Sequence, residues 1–429
     1  MPVVQSFFNF FGSLPQRLSR ITSGGKFIKE VDGLRFVAIF PVVLYHLTER
    51  FERYVPAGAA GNVRNNPTHI MYQLGFLGDF RLSDDHVNPT SDIVNMGFIG
   101  VYIFFVISGF ILAVPFAAHK LKGSRPVKLL DYYWRRVTRL EPTYIIWCSI
   151  LFVLFVFVKH TTFGSYLLEY LATITYTHTF FYNQWSPINP VTWTLEIEIQ
   201  FYILAPFLAA FFFAIKDKAL RRSVNTVLIL LLVVVQSWLG WSFSPYNWCI
   251  LAYLQYFLIG FMLADIYLVN WSAGIRKTIF YDIVAVIAAV AFFFSWSWAF
   301  EFANRLLVVL SLFVLFFAGF KSVYFNKFLC NRWITAIGGM CYTIYLIHLP
   351  LAELFVKASK HLHVTNSYTV NLLVQSALFL PIVFACSCAG FLLFEKPFMD
   401  KNWPQKLAAF LRGNSYPKTE MVAAKEKAK

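Results

Sequence analysis

Residues 96–118 read MGFIGVYIFFVISGFILAVPFAA, an unbroken run with no charged side chain. As an α-helix this stretch rises about 34 Å, enough to cross the roughly 30 Å hydrocarbon core of a bilayer. Working outward from it, apolar runs of comparable length recur near 34–50, 142–158, 191–214, 224–243, 249–269, 279–298, 304–320, 335–356 and 370–394. The expected fold is therefore all-α, a polytopic integral membrane protein with about ten transmembrane helices. Segment 163–183 is apolar and aromatic but short and rich in Thr and Tyr, and reads as an interfacial helix. The two halves of the chain do not echo each other, as an inverted-repeat transporter would.

The composition agrees. Of 429 residues, 58% are hydrophobic and only 14% charged, where a soluble domain carries about a quarter charged. The excess Phe, Leu, Val and Ile is surface for lipid contact. A formal charge of +15 would suggest nucleic acid in a soluble protein. Here the basic residues are dispersed among apolar spans rather than gathered in one patch, which excludes a nucleic-acid partner.

Their placement sets the orientation. With the N-terminus inside, roughly three-quarters of the 37 Lys and Arg fall in inward segments, as cytoplasmic loops require. An error of one span would reverse every later loop and destroy that asymmetry. Both termini are thus expected in the cytoplasm: a segment at 1–30, a membrane domain at 31–400 and a basic tail at 401–429. The outward loop at 51–95 is the long polar insertion, with Pro56, Pro67, Pro89, Asp79, Asp84, Asp85 and Asp92. It reads as a variable surface loop or as an acceptor gate. Residues 1–30 lack a long apolar stretch, so the first span is expected to direct insertion without a cleavable signal. The six cysteines (Cys148, Cys249, Cys330, Cys341, Cys386 and Cys388) include no C-x-x-C pair and read as small apolar residues.

Ionisable groups inside apolar helices cost a few kcal/mol each on insertion scales, so each one asks for a reason. The first span reads VDGLRFVAIFPVVLYHL from Val31 to Leu47. Arg35 and His46 are eleven residues apart, sharing one face with roughly 16 Å between them, and Asp32 lies near that face. A histidine so placed serves either as a structural hydrogen-bonding group or as a chemical one. In the second span, Gly97, Gly100, Ser108 and Gly109 admit close approach of another helix or of a ligand. Arg135 and Arg139, one turn apart before Pro142, form either a positive collar or a fork for phosphate oxygens. The fourth span opens NPVTWTLEIEIQFY from Asn189 to Tyr202. There Glu196 and Glu198 project to nearly opposite sides, while Thr194, Glu198 and Tyr202 share a face. Tyr345 and His348 lie one turn apart in the ninth span.

Together these stretches resemble the acyltransferase-3 family of integral membrane O-acyltransferases. The family's D-G-L-R box with a His eleven residues after its Arg matches Asp32 to Arg35 and His46. Its second-span glycine signature matches Gly97 to Phe110, and its R-x-x-x-R box matches Arg135 and Arg139. Its W-S-L-x-x-E-x-Q-F-Y box matches Trp193, Leu195, Glu198, Gln200, Phe201 and Tyr202, with Thr194 in place of Ser. The Y-x-x-Y-L-x-H-x-P box matches Tyr342 to Pro350, and E-K-P-F falls at Glu395 to Phe398. Each box alone is weak, but six in order over residues 30–400 are specific. Departures are Cys341 where Ser is common, Glu141 before Pro142, and the longer 51–95 loop.

The resemblance implies transfer of an acyl group, most often acetyl, from cytoplasmic acetyl-CoA or another acyl-CoA to a hydroxyl of a sugar or glycan. A cell-surface polysaccharide or its lipid-linked precursor is the expected acceptor, in the cell (inner) membrane, with no metal required. It assigns His46 as base or acyl relay, Glu198 as its orienting partner, and Arg35 nearby. Arg135, Arg139 and Arg35 would hold the donor's phosphates, with Gly97, Gly100 and Ser108 lining the path of its arm. Because the chain ends in a short tail rather than an esterase-like domain, catalysis is expected in the membrane domain. The competing expectation is a transporter or flippase for a lipid-linked or acidic solute, which would consume no thioester.

Overall fold

The structure, a computed structural model, describes residues 12–21, 27–54, 89–158, 162–296, 302–400 and 402–412. Ten long helices organise it: α1 (Lys29–Tyr54), α2 (Gly100–Lys122), α3 (Leu129–Val158), α4 (Trp193–Ala214), α5 (Lys218–Leu239), α6 (Leu254–Val269), α7 (Phe280–Ser295), α8 (Phe302–Lys321), α9 (Cys341–Ser359) and α10 (Tyr368–Gly390). Eight helical stretches are long and apolar enough to cross a membrane, while α6 and α7 are shorter apolar helices of 16 residues each. The protein is an all-α polytopic membrane protein. Residues 163–183 form the short helices Phe163–Ile174 and His178–Tyr182, and neither is long enough to span.

Helix boundaries differ from the sequence expectation at three places that matter. First, α3 begins at Leu129 rather than near 142, so the arginine-rich stretch is helical and continuous with the apolar part. Second, the span expected at 335–356 is broken: a short helix, Arg332–Gly339, stops at Met340, and α9 starts afresh at Cys341. The break accommodates a close approach, since a Cβ on Gly338 would sit 1.8 Å from the Asp32 carbonyl oxygen. Third, the loop expected at 51–95 is helical at both margins, with α1 running to Tyr54 and a short helix at Pro89–Asn95. Its Pro56, Pro67, Asp79, Asp84 and Asp85 lie outside the described residues.

Among the described residues the two largest apolar cores flank a polar seam. The larger joins α2, α4, α5, α6 and α8 around Phe105, Phe110, Phe201, Phe257 and Leu312. At its centre α2 and α6 touch backbone to backbone: a Cβ on Gly109 would lie 2.1 Å from the Phe257 carbonyl oxygen. Glycine at that position permits the contact, as small residues do between membrane helices. The smaller core joins α1, α9 and α10 around Leu47, Phe51, Tyr345, Leu349 and Phe379. Helix α1 contributes to both, and the face between them carries its polar residues.

The end of α10 departs from regular helix. Phe391–Glu395 forms a π turn and Lys396–Met399 a 3₁₀ turn, a wide-to-narrow change of pitch of the kind found at functional sites. It turns the Glu395 carboxylate inward, where Oε2 accepts from the Thr343 N–H at 3.1 Å and the Thr343 hydroxyl at 2.6 Å.

Candidate functional site

The seam holds a cavity of about 120 Å³, lined by Arg35 of α1, Ser108 of α2, Arg136 and Arg139 of α3, Thr194, Glu198 and Tyr202 of α4, Cys341 and Tyr345 of α9, and Glu395. Phe104, Phe105 and Ile107 supply apolar wall. Three guanidiniums and two carboxylates thus meet in one space between apolar helices, where an isolated charge would be costly.

Each charged group is held by its own scaffold. Asp32 is fully buried and accepts from Arg20 Nε at 2.8 Å and Arg35 Nη1 at 2.5 Å. That pairing explains the D-G-L-R box: the aspartate, one helical turn before Arg35, orients its guanidinium toward the cavity. Arg20 lies outside the spans, where burial and the neighbouring Arg35 charge lower its pKa to about 10. It remains a cation at neutral pH. Glu198 accepts from the Ser108 hydroxyl at 2.7 Å and the Tyr202 hydroxyl at 2.6 Å, bridging α2 and α4.

Helix α3 is anchored by Tyr132 and Tyr133, whose hydroxyls donate to the carbonyls of Tyr202 and Ile203. Thr143 donates to the Phe394 carbonyl and Tyr342 to that of Leu140. These bonds fix which arginines look inward. Arg139 and Arg136 line the cavity, with Arg136 also over the Tyr202 ring at 5.5 Å. Arg135 is exposed and donates to the Asp131 carbonyl of its own helix. The expected Arg135–Arg139 pair is therefore replaced by Arg136–Arg139. On a helix, Arg136 lies about 60° to one side of Arg139 and Arg135 about 40° to the other. The cavity opens on the Arg136 side, where Leu140 also lines it.

The small residues of this stretch divide likewise. Ser108 lines the cavity, but Gly97 and Gly100 do not. A Cβ on either would lie 2.2 Å from an α1 carbonyl oxygen, of Pro41 and Ala38 respectively. They bring α2 and the turn before it, Met96–Ile99, against α1 rather than forming wall.

His46 lies deeper along α1, beyond the cavity lining. Its Nδ1 is 3.2 Å from Glu49 Oε2, one turn on. The expected Glu198–His46 partnership is absent, because Glu198 is tied to Ser108 and Tyr202 and Glu49 takes its place. The signal was in the sequence, an acidic residue three after the histidine on the same helix. Glu49 in turn pairs with Arg50 and Arg53, and Arg50 reaches Glu353 at 3.1 Å.

Beside His46 stands His348, with ring centroids 5.1 Å apart. The His348 Nδ1 lies 2.8 Å from the Tyr345 carbonyl and 3.0 Å from that of Ile344, so this nitrogen carries the proton. Its Nε2 is buried without a hydrogen-bond partner among the described residues. Between this pair and the cavity sits Tyr345, whose hydroxyl donates to the Val191 carbonyl and contacts the Thr194 hydroxyl at 2.5 Å. Glu196 faces away from the cavity, its Oε2 accepting from the Thr179 N–H and hydroxyl. Among the described residues no group of three or more His, Cys, Asp or Glu could hold a metal ion.

The family described as an acyltransferase domain matches residues 28–395. Among curated proteins, the O-acetyltransferase OatA of Staphylococcus aureus is 22% identical over 359 residues, covering 78% of this chain and 52% of the relative. A putative O-acetyltransferase of the same species is 23% identical over 351 residues, covering 76% and 51%. The chain spans about half the length of the curated relatives it matches. No solved structure matches. With the family's match extending over nearly all of the ten-helix bundle and its polar seam, the chain belongs to the acyltransferase-3 family of integral membrane O-acyltransferases.

Proposed function

We propose that this protein transfers an acetyl or other acyl group from a cytoplasmic acyl-CoA to a hydroxyl of an envelope glycan or its lipid-linked precursor, in the cell (inner) membrane. The observation that carries the reading is the cavity in which Arg35, Arg136 and Arg139 converge, aligned along α1 and α9 with the His46–His348 pair. Three cations at one mouth suit a polyanionic donor, and Arg binds phosphate bidentately where Lys cannot.

Size limits what enters. About 120 Å³ is well below the roughly 300–1,000 Å³ of a pocket for a drug-sized ligand. The nucleotide of coenzyme A would therefore stay at the rim, and only the thin arm with its thioester would pass inward. Ser108, Thr194 and Tyr345 offer hydroxyls to that arm, and movement of Tyr345 would open the way to His46.

In the chemical step His46 acts as general base. With Glu49 holding the Nδ1 proton, Nε2 takes the proton of the acceptor hydroxyl. The freed oxygen attacks the thioester carbonyl, the carbon–sulfur bond breaks, and the thiolate leaves with the proton from His46. The products are an O-acyl ester and free coenzyme A. Glu198 keeps Ser108 and Tyr202 in place and balances the neighbouring guanidiniums.

The test is transfer of radiolabelled acetyl groups from acetyl-CoA to isolated envelope glycans by purified protein in lipid nanodiscs. Label recovered in base-labile ester on the glycan supports the proposal. Label that stays in the thioester across glycan classes and acyl chain lengths refutes it.

A further inference from the structure

A second cavity of about 390 Å³ lies away from the first, between the ends of α5, α6 and α8. Its lining is Arg222, Arg276 and Lys321 with Trp271, Phe317, Ile266, Asn270 and Gly274. No carboxylate is among these residues. Three cations and an indole around one concavity form a charged rim over an apolar floor.

The donors there are not used up. Arg222 gives Nε to Asp265 at 3.2 Å and Nη2 to Asn270, leaving Nη1 over. Asp265 also pairs with buried Arg221, so one carboxylate serves two guanidiniums. Among the described residues Lys321 donates one hydrogen bond, to the Tyr281 hydroxyl at 2.8 Å, and its ammonium also lies over the Tyr281 and Phe317 rings at 4.3 and 5.3 Å; two N–H groups are left for a ligand. Arg276 is exposed. The apolar side is built as firmly: Trp271 packs on Phe317 and Phe320 at 5.3 and 5.4 Å. Gly274, at φ +112°, has nothing among the described residues within 4 Å of where a Cβ would project. That backbone conformation disfavours other residues, and it keeps the space beside the cations open.

We propose that this cleft binds the phosphate headgroup of an anionic membrane phospholipid. Its place at helix ends puts it at headgroup depth, and basic clefts between membrane helices suit anionic headgroups. Trp271 supplies the amphipathic ring that sits at such a boundary. A small soluble anion would have no use for the apolar floor; a glycerol backbone and the first acyl carbons would cover it.

The experiment is native mass spectrometry of the full chain released from nanodiscs holding equal phosphatidylglycerol and phosphatidylcholine. Wild type should retain one phosphatidylglycerol with a preference of about tenfold or more over phosphatidylcholine. The double variant Arg276→Gln/Lys321→Gln should lose that preference, and Lys122→Gln/Arg125→Gln, which removes two exposed cations elsewhere, should keep it. Equal retention of both lipids by wild type would overturn the proposal. So would equal loss in both double variants, since that reports net surface charge. Displacement of the lipid by millimolar inorganic phosphate or adenosine 3′,5′-bisphosphate would also overturn it, in favour of a soluble phosphate ligand.

Discussion

His46 and His348 face each other with ring centroids 5.1 Å apart, on two helices that run side by side in the same direction. The shared register extends along both. Asp32 meets Gly338, on the short helix just before α9, at one end, and Arg50 pairs with Glu353 at the other. Between those ends α1 carries Arg35 and His46 and α9 carries Tyr345 and His348, in a line from the basic mouth toward the far side. The break at Met340 sets this register, because it lets the Asp32 backbone seat against Gly338.

The free Nε2 of His348 gives a first prediction. Asn at 348 retains an amide donor for the Ile344 and Tyr345 carbonyls but removes the acceptor at Nε2. Gln places its amide near the Nε2 position. His348→Asn should lower kcat by about tenfold or more with the donor KM unchanged, and His348→Gln should recover part of it. Equal losses in the two variants, together with lowered thermal stability, would mean that His348 only packs.

The three arginines of α3 separate by orientation. Arg139→Ala and Arg136→Ala should each raise the KM for acetyl-CoA by roughly tenfold, the value of one charge-assisted contact. Arg135→Ala, on the exposed face, should change it less than about twofold. Steady-state thiol release at varied acetyl-CoA decides this. The reverse order would place the donor on the outside of α3.

A packing prediction concerns the α2–α6 crossing. Any side chain at Gly109 meets the Phe257 carbonyl, so Gly109→Ala should destabilise the bundle by about 1–3 kcal/mol. Gly164→Ala, where none of the described residues lies within 4 Å, should be close to neutral. Melting curves in detergent, followed by tryptophan fluorescence, compare the two. A neutral Gly109→Ala would show that the helices cross with room to spare.

Much of this was legible in the sequence, for identifiable reasons. Apolar runs marked where each of the ten long helices lies, because helices packed in lipid need apolar side chains. Run length overstated α6 and α7 and did not show the break at Met340. The i, i+4, i+8 spacing put Thr194, Glu198 and Tyr202 on one wall, as helical geometry alone dictates. The misses share a cause: they depend on rotation or on partners that spacing does not fix. Arg135 and Arg136 differ by 100° on one helix, and only the tyrosine anchors of α3 choose between them. Glu49 displaced Glu198 as the partner of His46 because a residue one turn away outcompetes one on another helix. Gly97 and Gly100 were open between ligand and helix, and the α1 backbone occupies the space.

The reading rests most heavily on His46, and one measurement bears on it directly: coenzyme A thiol release from acetyl-CoA by wild type and His46→Ala in nanodiscs with envelope glycan. The account predicts release by wild type, and a fall of at least about a hundredfold in a variant that elutes and melts like wild type. Equal release by the two proteins would contradict it, and the base would have to be sought among the other groups of the seam.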